Sequence, residues 1–253
     1  MIDRSTNIRR ALRQRQRGFI INPFRFGGGG GGGGDPNFAN VSSLLHFDGT
    51  NGSTTFTDQK SISWTAVGDA QLATDVAKFG TAALKLDGTG DYAEASSPAG
   101  FDFGTGDFTI EGWVHPDSTS TNWLCSAIDA GAGGWALSGR HASFGNVLRF
   151  YSYVRAAGYN GSTVVTTGAW HHVAATRASG TLRVFLDGAL EITLAGFTDN
   201  FPAPVRARIG STPQTTSGQQ ISAACRIDDL RVTKGVARYT AAFTPPTEAF
   251  PDS

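Results

Sequence analysis

The sequence is short of the residues that most site chemistries use. Two cysteines in 253 residues exclude a disulfide framework and a four-cysteine zinc site. Glutamate occurs only as Glu94, Glu111, Glu191 and Glu248, and no two lie within five positions of each other. Lysine is equally rare: Lys60, Lys78, Lys85 and Lys234, among 21 basic residues. No apolar run approaches the roughly 18 residues that cross a bilayer, so membrane insertion is not expected. The first 25 residues have no apolar h-region, so a cleavable secretory leader is not expected either. There is no Gly-x-Ser-x-Gly elbow and no His-Glu-x-x-His pair.

What is abundant is glycine, at 33 residues, with eight in one unbroken run from Gly27 to Gly34. Such a run has no side chain to bury and reads as a flexible tether, averaging about 15 Å end to end. It formally contains Gly-x-Gly-x-x-Gly, but no strand precedes it and no helix follows, so it is not a nucleotide loop. The zero net charge hides a split at this tether. Residues 1–26 hold seven arginines against one acid, Asp3, so the remainder is acidic. The arm pairs an Arg-studded stretch (Arg9, Arg10, Arg13) with an apolar one (Phe19, Ile20, Ile21, Phe24, Phe26). So many large apolar residues need a receiving surface, and docking onto another subunit is the expectation. A disordered tail, or one folded back on its own body, is the alternative. Nucleic acid is not the expected partner, because a basic tail of that kind is more often Lys-rich and lacks the Phe set. The division predicted is an anchor arm at 1–26, a tether at 27–39 and a body at 40–253.

The body reads as β throughout. Strands are predicted at 43–47, 83–86, 91–95, 108–115, 135–138, 147–153, 171–177, 181–186, 206–209 and 226–233, many bounded by Asp-Gly or Asn-Gly, which accept the positive φ of tight turns. Alternation assigns faces. Phe108, Ile110 and Val114 share one face and Thr109, Glu111 and Trp113 the other. Leu182, Val184 and Leu186 point inward and Arg183 outward. Leu230 and Val232 flank an outward Arg231. The pattern predicts two sheets packed face to face, each wet on its outer side.

Five motifs occur in order: Ser43-Leu44-Leu45-His46-Phe47-Asp48-Gly49; Phe79-Gly80-Thr81-Ala82-Ala83-Leu84-Lys85-Leu86-Asp87-Gly88 with Asp91-Tyr92; Phe108-Thr109-Ile110-Glu111-Gly112-Trp113-Val114; Trp170-His171-His172-Val173-Ala174 leading to Leu186-Asp187-Gly188; and Ile227-Asp228-Asp229-Leu230-Arg231-Val232. In that order they resemble the laminin-G-like jelly roll of the concanavalin A-like lectin/glucanase superfamily, over about residues 40–245. The resemblance implies an all-β, two-sheet antiparallel jelly-roll sandwich, here preceded by the basic and aromatic arm. The ending, Lys234 to Tyr239 with Phe243-Thr244-Pro245-Pro246, and the anchor-plus-polyglycine start resemble copies of this domain in tailed-bacteriophage structural proteins.

Candidate sites follow. Glucanases of the superfamily carry paired carboxylates on one strand face. Here Asp91 and Glu94 fall on opposite faces, and Asp107 and Glu111 would lie about 13 Å apart, which suits neither retaining nor inverting hydrolysis. No catalytic residue is expected. Adjacent His171 and His172 cannot chelate one ion, and one inward, hydrogen-bonded histidine and one surface histidine are expected. Cys125 and Cys225 are expected to be buried free thiols, with a pairing left open. The resemblance implies a structural Ca²⁺ at the rim, with Asp228 and Asp48 as ligands, completed by backbone carbonyls of the first strand and by waters. The alternative is that Asp228 accepts hydrogen bonds from loop amides. Of the aromatics, Trp113 and Trp170 belong to packing motifs, whereas Trp123, Tyr153 and Tyr159, in or beside Gly/Ser-rich loops, are the expected sugar-stacking platform. The expected function is a non-enzymatic virion structural or decoration protein, made in the bacterial host cytoplasm and placed on the virion surface. Its arm would dock on capsid or tail subunits and its lectin-like sandwich would be displayed. A carbohydrate-binding adhesin contacting host-surface glycans is the alternative.

Overall fold

The computed structural model describes residues 34–96, 98–128, 133–212 and 222–253. The arm residues Arg9, Arg10, Arg13, Phe19, Ile20, Ile21, Phe24 and Phe26 therefore lie outside the described residues. The strands in chain order are β1 (Val41–Leu45), β2 (Thr65–Val67), β3 (Gln71–Ala73), β4 (Ala83–Leu86), β5 (Tyr92–Ser96), β6 (Phe108–Pro116), β7 (Asn122–Ile128), β8 (Gly134–His141), β9 (Val147–Ser152), β10 (Ala157–Val164), β11 (His171–Ala178), β12 (Thr181–Leu186), β13 (Ala189–Ala195), β14 (Arg206–Ile209) and β15 (Cys225–Lys234). Among the described residues the only helical pieces are two 3₁₀ turns, and no helix is long and apolar enough to cross a membrane.

All pairings are antiparallel. One sheet has eight strands in the order β13-β12-β11-β6-β15-β4-β3, with β1 also paired to β15. The other has seven, in the order β10-β9-β8-β7-β14-β5-β2. The period-two alternation sends Phe108, Ile110, Val114, Val184 and Val232 of the first sheet into one core with Leu137, Leu148, Phe150, Ala207 and Ile209 of the second. Asp187 and Gly188 both take positive φ, 49° and 78°, and so close the β12–β13 hairpin in two residues. Phe243 donates its amide to the Gly188 carbonyl at 3.0 Å, an approach so close that a Cβ on Gly188 would strike the Phe243 backbone.

That contact belongs to a larger departure from expectation. The outer face of the eight-stranded sheet is not wet. The chain after β15 lies across it: Thr109 Oγ1 donates to the Val236 carbonyl, Thr176 Oγ1 to that of Tyr239, and the Tyr239 and Phe243 rings stack at 3.6 Å. Beneath it sit Phe185, His172 and Glu111, all with no exposed surface. Arg231, expected outward, does leave the core side, but its side chain is only 6% exposed. Its Nε and Nη2 donate to Glu111 at 2.9 and 2.8 Å, and its Nη1 donates to Asp35 at 3.2 Å. Arg238 donates twice to the same Asp35, at 3.0 and 2.6 Å. The folded body therefore starts before residue 40, because this buried carboxylate holds two guanidiniums. The predicted tether boundary at 39 moves back to about Asp35. One histidine is inward and the other nearer the surface, as expected, but the inward one is not hydrogen-bonded. His172 is buried under the tail, its ring nitrogens without a hydrogen-bond partner and its Nε2 3.6 Å from Glu111 Oε2. His171, at the end of the strand, hydrogen-bonds Asp187 and Thr166 at 2.8 and 2.9 Å.

Candidate functional site

With one sheet covered, the outer face of the seven-stranded sheet is where side chains can meet a ligand. On β9 and just beyond it, Leu148 and Phe150 take the core, so Arg149, Tyr151 and Tyr153 face out. On β7, register shifts on both sides of Trp123 turn its ring to the same outer face, beside His141 at the end of β8. The 3₁₀ turn after β8 then presents Phe144, which is 44% exposed.

These side chains form one unbroken strip. Trp123 meets His141 edge-on at 5.4 Å, and His141 meets Phe144 at 4.8 Å. The Arg149 guanidinium lies 3.9 Å from the Phe144 ring centre and 5.4 Å from that of Tyr151, which contacts Tyr153 at 4.7 Å. At the Trp123 end opens a cleft of about 450 Å³, lined by Ser120, Thr121, Ser143, Gly88 and Ala223 beside Trp123 and His141. Two of its lining groups are nearly buried and lack a hydrogen-bond partner: Trp123 Nε1 and His141 Nδ1. Burial, and then the charge of Arg149, push the His141 pKa down to about 4, so the imidazole is neutral at physiological pH and can donate or accept. Ser211, Thr212 and Ser222 lie against the same face at β7 and β14, where Ser126, Arg208 and Trp123 hydrogen-bond them.

The expected platform is thus partly assembled. Trp123 and Tyr153 stand at the two ends of one strip, although neither is an exposed loop residue. Trp123 is 3% exposed and belongs to β7, a strand the sequence reading did not predict. Burial foremost pushes the Tyr153 hydroxyl up to about 12. Tyr159 is a correction. It pairs with Phe150 across the β9–β10 register, points to the core side, and packs edge-on against Phe197 at 6.3 Å. His141, Phe144 and Arg149 were missed. Alternation along Val147-Leu148-Arg149-Phe150-Tyr151-Ser152-Tyr153 was the available signal for Arg149.

The implied calcium ligands are both taken up by donors of the protein. Asp228 accepts from three backbone amides, those of Lys78 and Phe79 at 2.8 and 3.1 Å and of Asp229 at 2.8 Å, and burial pushes its pKa up to about 7. Asp48 accepts from the Thr81 amide and hydroxyl. The two carboxylates thus bracket the turn at 78–81 and hold it by its amides. Among the described residues no group of three His, Cys, Asp or Glu could hold a metal. Both carboxylates are thus engaged by amide and hydroxyl donors, as in the alternative given for Asp228. Cys125 and Cys225 are free and buried, as expected. The glutamates are distributed over both sheets and the tail. Glu111 sits under the tail, Glu94 pairs with Arg208 at 2.6 Å on the opposite sheet, Glu191 takes the Ser162 and Thr163 donors, and Glu248 is exposed.

A family model described as Concanavalin A-like lectin/glucanases superfamily (Laminin_G_3) matches residues 87–238. Among solved structures, domain 4 of the extracellular arabinanase AbnA from Geobacillus stearothermophilus, in complex with arabinotriose, is similar at TM-score 0.60 and 18% identity, over 78% of this chain and 94% of that one. The Trypanosoma rangeli sialidase matches at TM-score 0.57 and 16% identity, over 78% of this chain and 31% of that one. The receptor binding domain of a botulinum neurotoxin C/D mosaic matches at TM-score 0.55 and 14% identity, over 79% of this chain and 49% of that one. The chain thus spans about a third of the sialidase and half of the neurotoxin domain, and these likenesses concern the fold. Comparison with curated proteins gives no match.

Proposed function

This chain belongs to the concanavalin A-like lectin/glucanases superfamily, and we propose that it is a non-catalytic glycan-binding module that holds sugar along the strip from Trp123 to Tyr153. The observation that carries the reading is the continuity of that strip: four aromatic rings, an imidazole and a guanidinium, each in ring contact with the next. Aromatic faces beside a few fixed polar groups are what a sugar site needs, apolar stacking with directional hydrogen bonds to hydroxyls. The arabinotriose bound to the arabinanase domain and the receptor-binding role named for the neurotoxin domain are in keeping with it. The absence of a converging glutamate pair among the described residues argues against hydrolysis.

A glycan array probed with the full chain tests the reading. The chain binds a restricted set of glycans, and the Phe144→Ala/Tyr151→Ala double variant loses at least tenfold in affinity at unchanged Tm. No binding on the array, or binding untouched by the double variant, would contradict it.

A second reading concerns attachment, and one observation favours it. Asp35, close after the glycine run, is clamped on the outer side of the eight-stranded sheet, and the strip lies on the outer side of the other sheet. An arm leaving there would present the strip away from whatever it docks on. In this reading residues 1–26 insert into virion capsid or tail subunits and the sandwich is displayed at the virion surface toward host glycans. Deleting residues 1–26 then abolishes incorporation into particles, and a truncated protein that still assembles refutes it.

A further inference from the structure

Arg149 is the outlier of the strip. Its neighbours on this face have fuller sets of internal partners: Arg208 pairs with Glu94 and also donates to the Thr212 carbonyl, and Arg140, which likewise has no carboxylate within ion-pair distance among the described residues, donates to the carbonyls of Thr119, Ser120 and Val165. Arg149 is 9% exposed, yet among the described residues no carboxylate lies within ion-pair distance of it. Among the described residues its acceptor is the neutral Asn160 Oδ1, at 2.7 Å from Nη1. Burial foremost pulls its pKa down, opposed only by Tyr151 and Tyr153. The guanidinium is nonetheless carefully seated. It lies between the Phe144 and Tyr151 rings, against Gly158, where a Cβ would collide with it. A nearly buried charge is unfavourable unless its donors are met, by several carbonyls as at Arg140 or by an anion, and a single neutral amide oxygen does neither. A guanidinium offers its donors in a planar fork that matches anionic oxygens.

We propose that the glycan bound by this strip is anionic, and that Arg149 receives its acid group, carried as a carboxylate or a sulfate ester. The inference rests on the glycan-binding reading above and narrows it to one chemical class. In this arrangement Phe144 and Tyr151 stack on the sugar ring and Asn160 holds the guanidinium in plane. The unpartnered Trp123 Nε1 and the neutral His141 address hydroxyls of a neighbouring residue at the cleft. His141 held neutral adds no second positive charge, so the site recognises one acid group at one position.

The test uses the full chain and matched glycan pairs: uronate- and nonulosonate-containing oligosaccharides with their carboxyl-reduced counterparts, and sulfated oligosaccharides with their desulfated counterparts. Acidic forms bind at least about tenfold tighter than their neutral partners, the least that a charge-assisted hydrogen bond adds. Which pair shows the ratio identifies the acid group. In Arg149→Gln the ratio of acidic to neutral affinity falls to near one, whatever the change in absolute affinity, and Arg149→Lys restores part of it. Equal binding of acidic and neutral forms by the natural chain would overturn the proposal and leave the glycan reading standing. An unchanged ratio in Arg149→Gln would also overturn the proposal. No binding by any member of the panel would overturn both.

Discussion

Replacing Arg231 with methionine removes the charge that makes Glu111 tolerable in the interior. Glu111 has no exposed surface. It accepts two hydrogen bonds from Arg231 and one from the Tyr239 hydroxyl at 2.7 Å. Burial alone would raise its pKa, but the charge of Arg231 foremost, with that of Arg238 and the nearby His172 ring as lesser contributions, holds it at about 2, below its ordinary 4.5. Methionine keeps the apolar stem over Phe250 and leaves Glu111 and Asp35 with Arg238. Breaking a buried pair from one side costs about 3–5 kcal/mol, which lowers Tm by roughly 6–20 °C in a domain of this size. The pH dependence identifies the cause. A carboxylate whose folded pKa is depressed contributes stability above its unfolded pKa and loses it as pH falls through the folded one. In the variant Glu111 protonates more readily, so the deficit is full at pH 7 and smaller, by more than about 1 kcal/mol, at pH 4. Urea unfolding of both proteins at both pH values measures this, and adding Glu111→Gln to the variant recovers part of the loss. A deficit below about 1 kcal/mol at pH 7, or the same deficit at both pH values, would refute the reasoning.

Further expectations concern the charged rim. His46 bonds Asp229 and Asp252 at 2.6 and 2.7 Å; burial lowers its pKa, but these two carboxylates outweigh that and raise it to about 9. Its contribution is therefore full below pH 6.5 and lost as pH rises through 9, at most about 3 kcal/mol by linkage and less for the share of exposed Asp252; unfolding of His46→Gln lacks this alkaline slope, and a slope equal to that of the natural chain would contradict the assignment. Removing residues 1–33 leaves Tm unchanged, whereas Asp35→Ala, which takes the shared carboxylate from two buried guanidiniums and leaves both to Glu111, costs about 3 kcal/mol in urea unfolding; equal stability of all three chains would disprove the clamp. EDTA or added Ca²⁺ leaves Tm within about 1 °C, because Asp48 and Asp228 are already occupied by amides; a clear rise with Ca²⁺ would restore the cation site.

Much of the fold was legible because its strands alternate cleanly. β4, β12 and β14 fall where predicted, and the inward sets of β6 and β12 are the observed core. What failed did so for physical reasons. β7 carries register shifts at Trp123, which break the alternation, so Trp123 passed for a loop aromatic. Arg231 and Phe185 alternate as if toward water, but alternation reports only which side of the sheet a residue leaves by. The covering tail is a non-local event that no period announces. The site was half-visible for the same reason: Trp123 and Tyr153 are aromatics a sequence can flag, but their connection through His141, Phe144 and Arg149 exists only once three strands lie side by side. The reach of the Asp228 carboxylate to the Lys78 and Phe79 amides, 150 positions away, was likewise foreseen only as one of two alternatives.

The central claim is tested most directly by the indole N–H resonances of the five tryptophans during titration with a bound glycan. Trp123, with its unpartnered Nε1 at the cleft, shifts and saturates with the ligand, and Trp135, sealed in the core, stays still. A stationary Trp123 at saturation, or shifts confined to Trp113 and Trp170, would contradict the account.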